Sequence, residues 1–101
     1  MVFDISEVAG IGEYEKKIEK NEDPSKSRTL FEKDDKVFLV ENKNTIELRT
    51  DHELAKLLKS KYESVMESRY FGRGGIEIVL AGNQFTIDEL YDLVRLSYNL
   101  S

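Results

Sequence analysis

The tightest constraint in this sequence is the spacing of three short apolar-rich runs, residues 29–32, 36–41 and 45–49. Asp34-Asp35 sits in the first gap and Asn42-Lys43-Asn44 fills the second. Gaps this short cannot hold a crossover helix, so consecutive runs must pair antiparallel. Asp34-Asp35 suits a tight hairpin turn, and asparagine tolerates left-handed backbone angles in the second turn. In the third run Ile46 and Leu48 alternate with Glu47 and Arg49, the period of a strand. These runs predict a three-stranded antiparallel meander.

The downstream sequence switches to helical spacing. Residues 51–62 place Leu54, Leu57, Leu58 and Tyr62 on one face, with Lys56, Lys59 and Lys61 mostly off it. Thr50 and Glu53 have the spacing of a capping box. Residues 65–71 and 76–80 read as two further strands, with Gly72, Gly74 and Gly75 around Arg73 supplying their turn and Gly82-Asn83 closing the far end. Thr86 and Glu89 make a second capping box, Phe85 can staple onto Leu90, and Leu90, Tyr91, Val94 and Tyr98 form the stripe of a last helix. Upstream, Ile5, Val8, Ile11, Tyr14 and Ile18 recur at helical spacing, although Gly10 and Gly12 each cost such a helix about 1 kcal/mol. Residues 21–27 read as a loop broken by Pro24. The predicted order is α-β-β-β-α-β-β-α. It describes a two-layer α+β domain with an antiparallel sheet of about five strands and helices on one face. A chain of 101 residues accommodates one such domain, residues 1–101, of which 1–27 form the N-terminal helix and loop.

Composition narrows the chemistry. The absence of cysteine removes disulfides, thiolate metal sites and a cysteine nucleophile, and fits a cytoplasmic setting. Residues 1–11 carry Asp4 and Glu7 with no basic, apolar leader pattern, so no secretory leader is expected. No apolar run approaches the roughly 20 residues of a membrane-spanning helix. The net charge of −5 is spread along the chain and repels phosphate backbones on average, so binding nucleic acid requires a local basic patch.

The segment from Asp51 to Tyr98 resembles the second half of MmcQ/YjbR-like proteins, small double-wing α+β domains akin in fold to secretion chaperones. The resemblance rests on HELAKLLKSKY (His52 to Tyr62), SRYFGRGGIEIVLAG (Ser68 to Gly82) and DELYDLVRLSY (Asp88 to Tyr98), in that order and spacing. KVFLVENKNTIELRT (Lys36 to Thr50) matches the preceding strands, and about two-thirds of the chain is covered. Arg73 keeps the basic residue of the family's second hairpin, with Ile76 where a tryptophan is usual. Ser97-Tyr98 is the family's C-terminal pair. The resemblance implies the fold and, through the family's label, DNA binding.

Arg69, Tyr70, Phe71 and Arg73 form the strongest local candidate surface. Arginines there contact phosphates, an aromatic ring stacks on a base, and glycines permit close approach. The alternative is an ordinary glycine hairpin with alternating inward and outward side chains. Lys56, Lys59 and Arg49 extend a basic patch or simply solvate a helix and a strand. Replacing Arg69 and Arg73 by alanine is expected to leave the fold intact, and Leu57→Ala and Val94→Ala to cost roughly 2–4 kcal/mol each. His52, the sole histidine, and the pairs Asp34-Asp35 and Glu22-Asp23 lack metal-site spacing. Tyr98 reads as a buried tyrosine with a satisfied hydroxyl. No nucleophile–base pair, phosphate loop or cofactor fingerprint is present, so neither catalysis nor a cofactor or metal is expected. Two functions stay open: a nucleic-acid module using the 68–76 hairpin, or a protein-interaction module that binds a partner or itself.

Overall fold

The computed structural model describes residues 3–82 and 84–101. The meander forms where the turns require it, but a strand absent from the sequence reading precedes it. This is β1 (Glu15–Glu19), followed by β2 (Arg28–Lys33), β3 (Lys36–Glu41) and β4 (Thr45–Arg49). Helix α1 (His52–Lys61), strands β5 (Val65–Ser68) and β6 (Gly72–Val79) and helix α2 (Ile87–Leu100) complete the chain. The sheet has six strands in the order β1-β2-β3-β4-β6-β5, every pair antiparallel. Asp34 and Asp35 both take positive φ, 51° and 66°, the two-residue turn that matches strand twist. The second turn closes through the Asn42 N–H on the Thr45 carbonyl without a left-handed asparagine.

The predicted N-terminal helix does not form. A 3-10 turn, Ile5–Glu7, leads into extended chain and then β1. Ile5 and Val8 still reach the core, with Ile11 and Tyr14 packed against it, but Ile18 is 58% exposed. Gly10 and Gly12 explain the outcome. Gly10 has φ +82°, and a Cβ on Gly12 would lie 2.9 Å from the Tyr98 hydroxyl. The segment is laid against α2 instead of coiling, which raises the strand count from five to six.

Both helices cover one face of the sheet. Ala55 and Leu58 from α1, and Leu90, Val94 and Tyr98 from α2, pack with Phe38, Leu39, Ile46, Leu48, Ile76 and Ile78. A bulge sets this arrangement: Phe31 pairs with Leu39 and Glu32 with Val37, leaving Phe38 unpaired. Phe38 and Leu39 therefore both join the helix-side core, while Val37 and Val40 join Leu30 and Phe71 on the other face. Leu57, predicted to be core, is 58% exposed because Ala55 and Leu58 define the buried stripe of α1.

Two cap predictions divide. Thr86 and Glu89 form the reciprocal capping box, with bonds of 3.1 and 2.9 Å, and Phe85 and Leu90 share the core. At α1 the cap is Asp51, whose carboxylate accepts from the Leu54 N–H at 2.7 Å, while Thr50 is buried with its hydroxyl unbonded among the described residues. The β5–β6 turn is Arg69-Tyr70-Phe71, and the glycines belong to β6. A Cβ on Gly75 would lie 2.5 Å from that of Phe71 and 2.7 Å from the Leu48 carbonyl, so the glycine permits a close crossing. Gly82 takes φ +71°, and Asn83 lies outside the described residues.

Candidate functional site

The helix-free face of the sheet carries an arrangement that alternation alone does not announce. Glu47 on β4 is paired directly with Glu77 on β6, and the two residues are 1% and 2% exposed. Like charges opposite one another destabilise a sheet, and burying a carboxylate is costly unless donors meet it. Glu47 accepts from Asn42 Nδ2 (2.8 Å), Ser68 Oγ (2.8 Å) and the Tyr70 N–H (2.9 Å). Burial pulls its carboxyl upward, but these three donors and the nearby Arg69 charge outweigh burial and hold it below its ordinary value. Glu77 accepts from Thr45 Oγ1 (2.7 Å) and from Arg69 through Nε (3.0 Å) and Nη2 (2.8 Å).

The Arg69–Glu77 pair is bidentate, which fixes the plane as well as the position of the guanidinium. The hydrogen bond to Glu77 and that carboxylate's charge also strengthen its hold on its proton. Its side chain is 72% exposed over an almost fully buried partner, so it is oriented from beneath and open above. Arg28 on β2 is also paired through two nitrogens, though with a half-exposed carboxylate: Nε and Nη2 donate to Glu19 at 3.2–3.4 Å, and the guanidinium lies 5.2 Å from the centroid of the Tyr70 ring. Between these two arginines and the loop after β1 opens a cleft of about 510 Å³, lined among others by Glu19, Lys20, Lys26, Arg28, Asn42 and Arg69. The lining holds four cations and one carboxylate in a chain of net charge −5. Asp23 caps the 3-10 turn Pro24–Lys26 through Ser25, which shapes the loop that carries Lys26.

The structure separates the residues named from sequence. Arg69 lines the cleft, and Tyr70, half exposed, lies beneath Arg28 and edge-on to Phe71. Arg49 packs on the same face, donating Nε–H to the Val37 carbonyl at 2.8 Å and stacking 4.9 Å from the Phe71 centroid. Arg73 is exposed on β6 and makes no side-chain bond among the described residues. Lys56 and Lys59 belong to α1 in the helix layer, where Lys59 pairs with Glu67 at 3.7 Å. Arg69 is tied into the fold through Glu77, so its replacement bears on stability as well as on the cleft.

Ser97 is fully buried, donates to the Phe38 carbonyl and accepts from the Arg49 N–H at 2.8 Å. Tyr98 donates its hydroxyl to the Glu13 carbonyl at 2.9 Å and stands edge-on to Phe38. The pair therefore fastens α2 to the bulged strand, to β4 and to the N-terminal segment. His52 is exposed at the start of α1. Among the described residues no group of three or more His, Asp or Glu is placed to hold a metal ion, and no helix is long and apolar enough to cross a membrane.

Sequence reasoning missed Lys20, Lys26, Arg28, Asn42, Glu47 and Glu77. The available signal was the repeated Ile-Glu-Leu and Ile-Glu-Ile of residues 46–48 and 76–78, a carboxylate centred in each of two apolar strands. Lys20, Lys26 and Arg28 had no such signal, because only the unforeseen pairing of β1 with β2 gathers them.

No family model and no curated protein matches this chain. The fold, however, is one already seen. A crystal structure of a protein from Pseudomonas syringae, a Northeast Structural Genomics Consortium target, superposes with a TM-score of 0.65. The match covers 84% of this chain and 86% of that one at 16% sequence identity. At that identity the likeness shows the α+β fold alone.

Proposed function

We propose that this chain is a non-enzymatic binding domain of the MmcQ/YjbR-like type that engages nucleic acid through the helix-free face of its sheet. One observation carries the reading: a chain of net charge −5 concentrates Lys20, Lys26, Arg28 and Arg69 around a single cleft. Arg28 and Arg69 are already paired with Glu19 and Glu77, so the charge an anionic ligand would meet is chiefly that of Lys20 and Lys26. The two arginines present guanidiniums held by carboxylates, the group best matched to phosphate geometry. The arginine that sequence reasoning placed at the head of the hairpin, Arg69, is a member of this set. The buried carboxylates Glu47 and Glu77 act as acceptors for donors within the fold, which supports a positioning role for them.

The test is an anisotropy titration of labelled single-stranded and duplex DNA and RNA at low and at physiological salt. Binding in the range of roughly 1–100 µM that weakens as salt rises is the expected result. Lys20→Ala with Lys26→Ala, both exposed and outside the core, should weaken it while leaving the unfolding curve in place. Absence of binding even at low salt sinks the reading.

A second reading, a protein-interaction module, is favoured by a groove of about 320 Å³ between the helices, lined by Leu58, Tyr62, Phe85, Leu93 and Leu96 with Glu89 and Asp92 at hand. Sedimentation over a hundredfold concentration range would reveal self-association through it.

A further inference from the structure

We infer that the cleft recognises a terminal phosphate monoester, the end of a nucleic-acid strand, and not a continuous stretch of backbone; this rests on the nucleic-acid reading above. The first observation is how far the positive charge extends. Arg28 and Arg69 are paired with Glu19 and Glu77, so the excess positive charge of this concavity rests on Lys20 and Lys26. The other end of the β1–β2 ribbon is lined by Glu13, Glu15, Glu32, Asp34 and Asp35. In register, Glu19 pairs with Arg28 at the basic end and Glu15 with Glu32 at the acidic end. A backbone leaving the cleft along this ribbon passes one further cation, Lys17, and then meets five carboxylates. A strand that ends in the cleft avoids them.

The second observation is the geometry of the donors. Arg69 commits Nε and Nη2 to Glu77, and Arg28 commits Nε and Nη2 to Glu19. A guanidinium has five N–H donors, so the Nη1 edge of each remains without a partner among the described residues. Two anchored guanidinium edges and two exposed ammonium groups match the three free oxygens of a monoester better than the two of a diester. A terminal monoester carries about −1.5 to −2 charge at neutral pH, against one charge on an internal phosphate. A cleft of about 510 Å³ is large enough for one nucleotide.

The third observation concerns the base. The Tyr70 ring, 38% exposed, has Arg28 over one face and Phe71 at its edge, and it does not line the cleft. The cleft lining carries no aromatic side chain to hold a base. Recognition therefore reads the phosphate and not the base.

The experiment compares one short single strand in four forms: 5′-phosphorylated, 3′-phosphorylated, without terminal phosphate, and 5′-phosphorylated with a scrambled sequence. A mononucleotide monophosphate serves as competitor. One phosphorylated end should bind about tenfold more tightly than the bare strand, with no dependence on sequence. Lys20→Ala with Lys26→Ala should remove most of that preference, and the mononucleotide should compete. Equal binding of phosphorylated and bare strands overturns end recognition while leaving nucleic-acid binding standing. Binding of the mononucleotide without any strand keeps the phosphate site and overturns the nucleic-acid reading. Binding of neither overturns both.

Discussion

Glu47 and Glu77 stand opposite one another across β4 and β6, both buried, yet among the described residues only Glu77 has a cation bonded to it. Glu47 is held by Asn42, Ser68 and the Tyr70 backbone. This division of labour couples the cleft to the fold, because Arg69 is at once a lining residue and the counter-charge of Glu77.

Arg69→Ala should therefore destabilise the protein by roughly 1–3 kcal/mol, since it leaves a buried carboxylate facing a second one. The large exposure of Arg69 keeps the cost below that of breaking a deep ion pair. Arg73→Ala, on an exposed side chain of β6, should stay within about 0.5 kcal/mol. Urea unfolding of the two single variants decides it, and equal midpoints would contradict the assignment.

The acid limb of stability should depend on Glu47. Its carboxyl is held below its ordinary 4.5 in the folded state, so the unfolded chain binds that proton more tightly. The stability it contributes is present above about pH 4.5 and is lost as pH falls through the folded value. Glu47→Gln should flatten the decline while costing about 1–3 kcal/mol at neutral pH, because one amide hydrogen then meets donors. Glu41, pushed upward chiefly by burial, works in the opposite direction and is common to both proteins, so their difference isolates Glu47.

On the helix side, Val94→Ala should cost roughly 2–4 kcal/mol, whereas Leu57→Ala should be nearly neutral despite its place in the helical pattern. Val94 is fully buried and Leu57 is 58% exposed. Thermal unfolding of the pair measures the difference directly.

Ser97→Ala should cost about 1–3 kcal/mol, an unusually large effect for deleting one hydroxyl. The substitution strands the Arg49 N–H and removes the donor to the Phe38 carbonyl at the bulge. Faster amide exchange at Arg49 would accompany the loss, and an unchanged exchange rate would show that the bond does not hold the strand.

Gly75→Ala should destabilise by roughly 1–3 kcal/mol through overpacking against Phe71 and the Leu48 carbonyl. Gly74→Ala is the control, since its added Cβ meets nothing closer than 3.8 Å. The ordering of the two unfolding midpoints is the measurement.

The sequence by itself determined the elements whose signals are local. Asp34-Asp35 required a two-residue turn, Thr86 and Glu89 required a helix start, and the spacing of Leu90, Val94 and Tyr98 required a buried helix face. Each of these interactions spans only a few residues, so periodicity and turn chemistry suffice to read it. The tertiary structure decided the rest. Residues 5–18 had helical spacing, but Gly10 and Gly12 and the presence of Tyr98 made an extended path against α2 the better packing. Leu57 had helical spacing too, but the β-sheet chose Ala55 and Leu58 as the contact stripe. The cleft lay furthest from view, because it joins residues up to fifty positions apart through strand register, and Glu47 becomes a buried acceptor only when Asn42, Ser68 and Tyr70 arrive around it. A lone glutamate in a strand carries no mark of whether water or the protein will solvate it. That depends on which neighbours the register supplies.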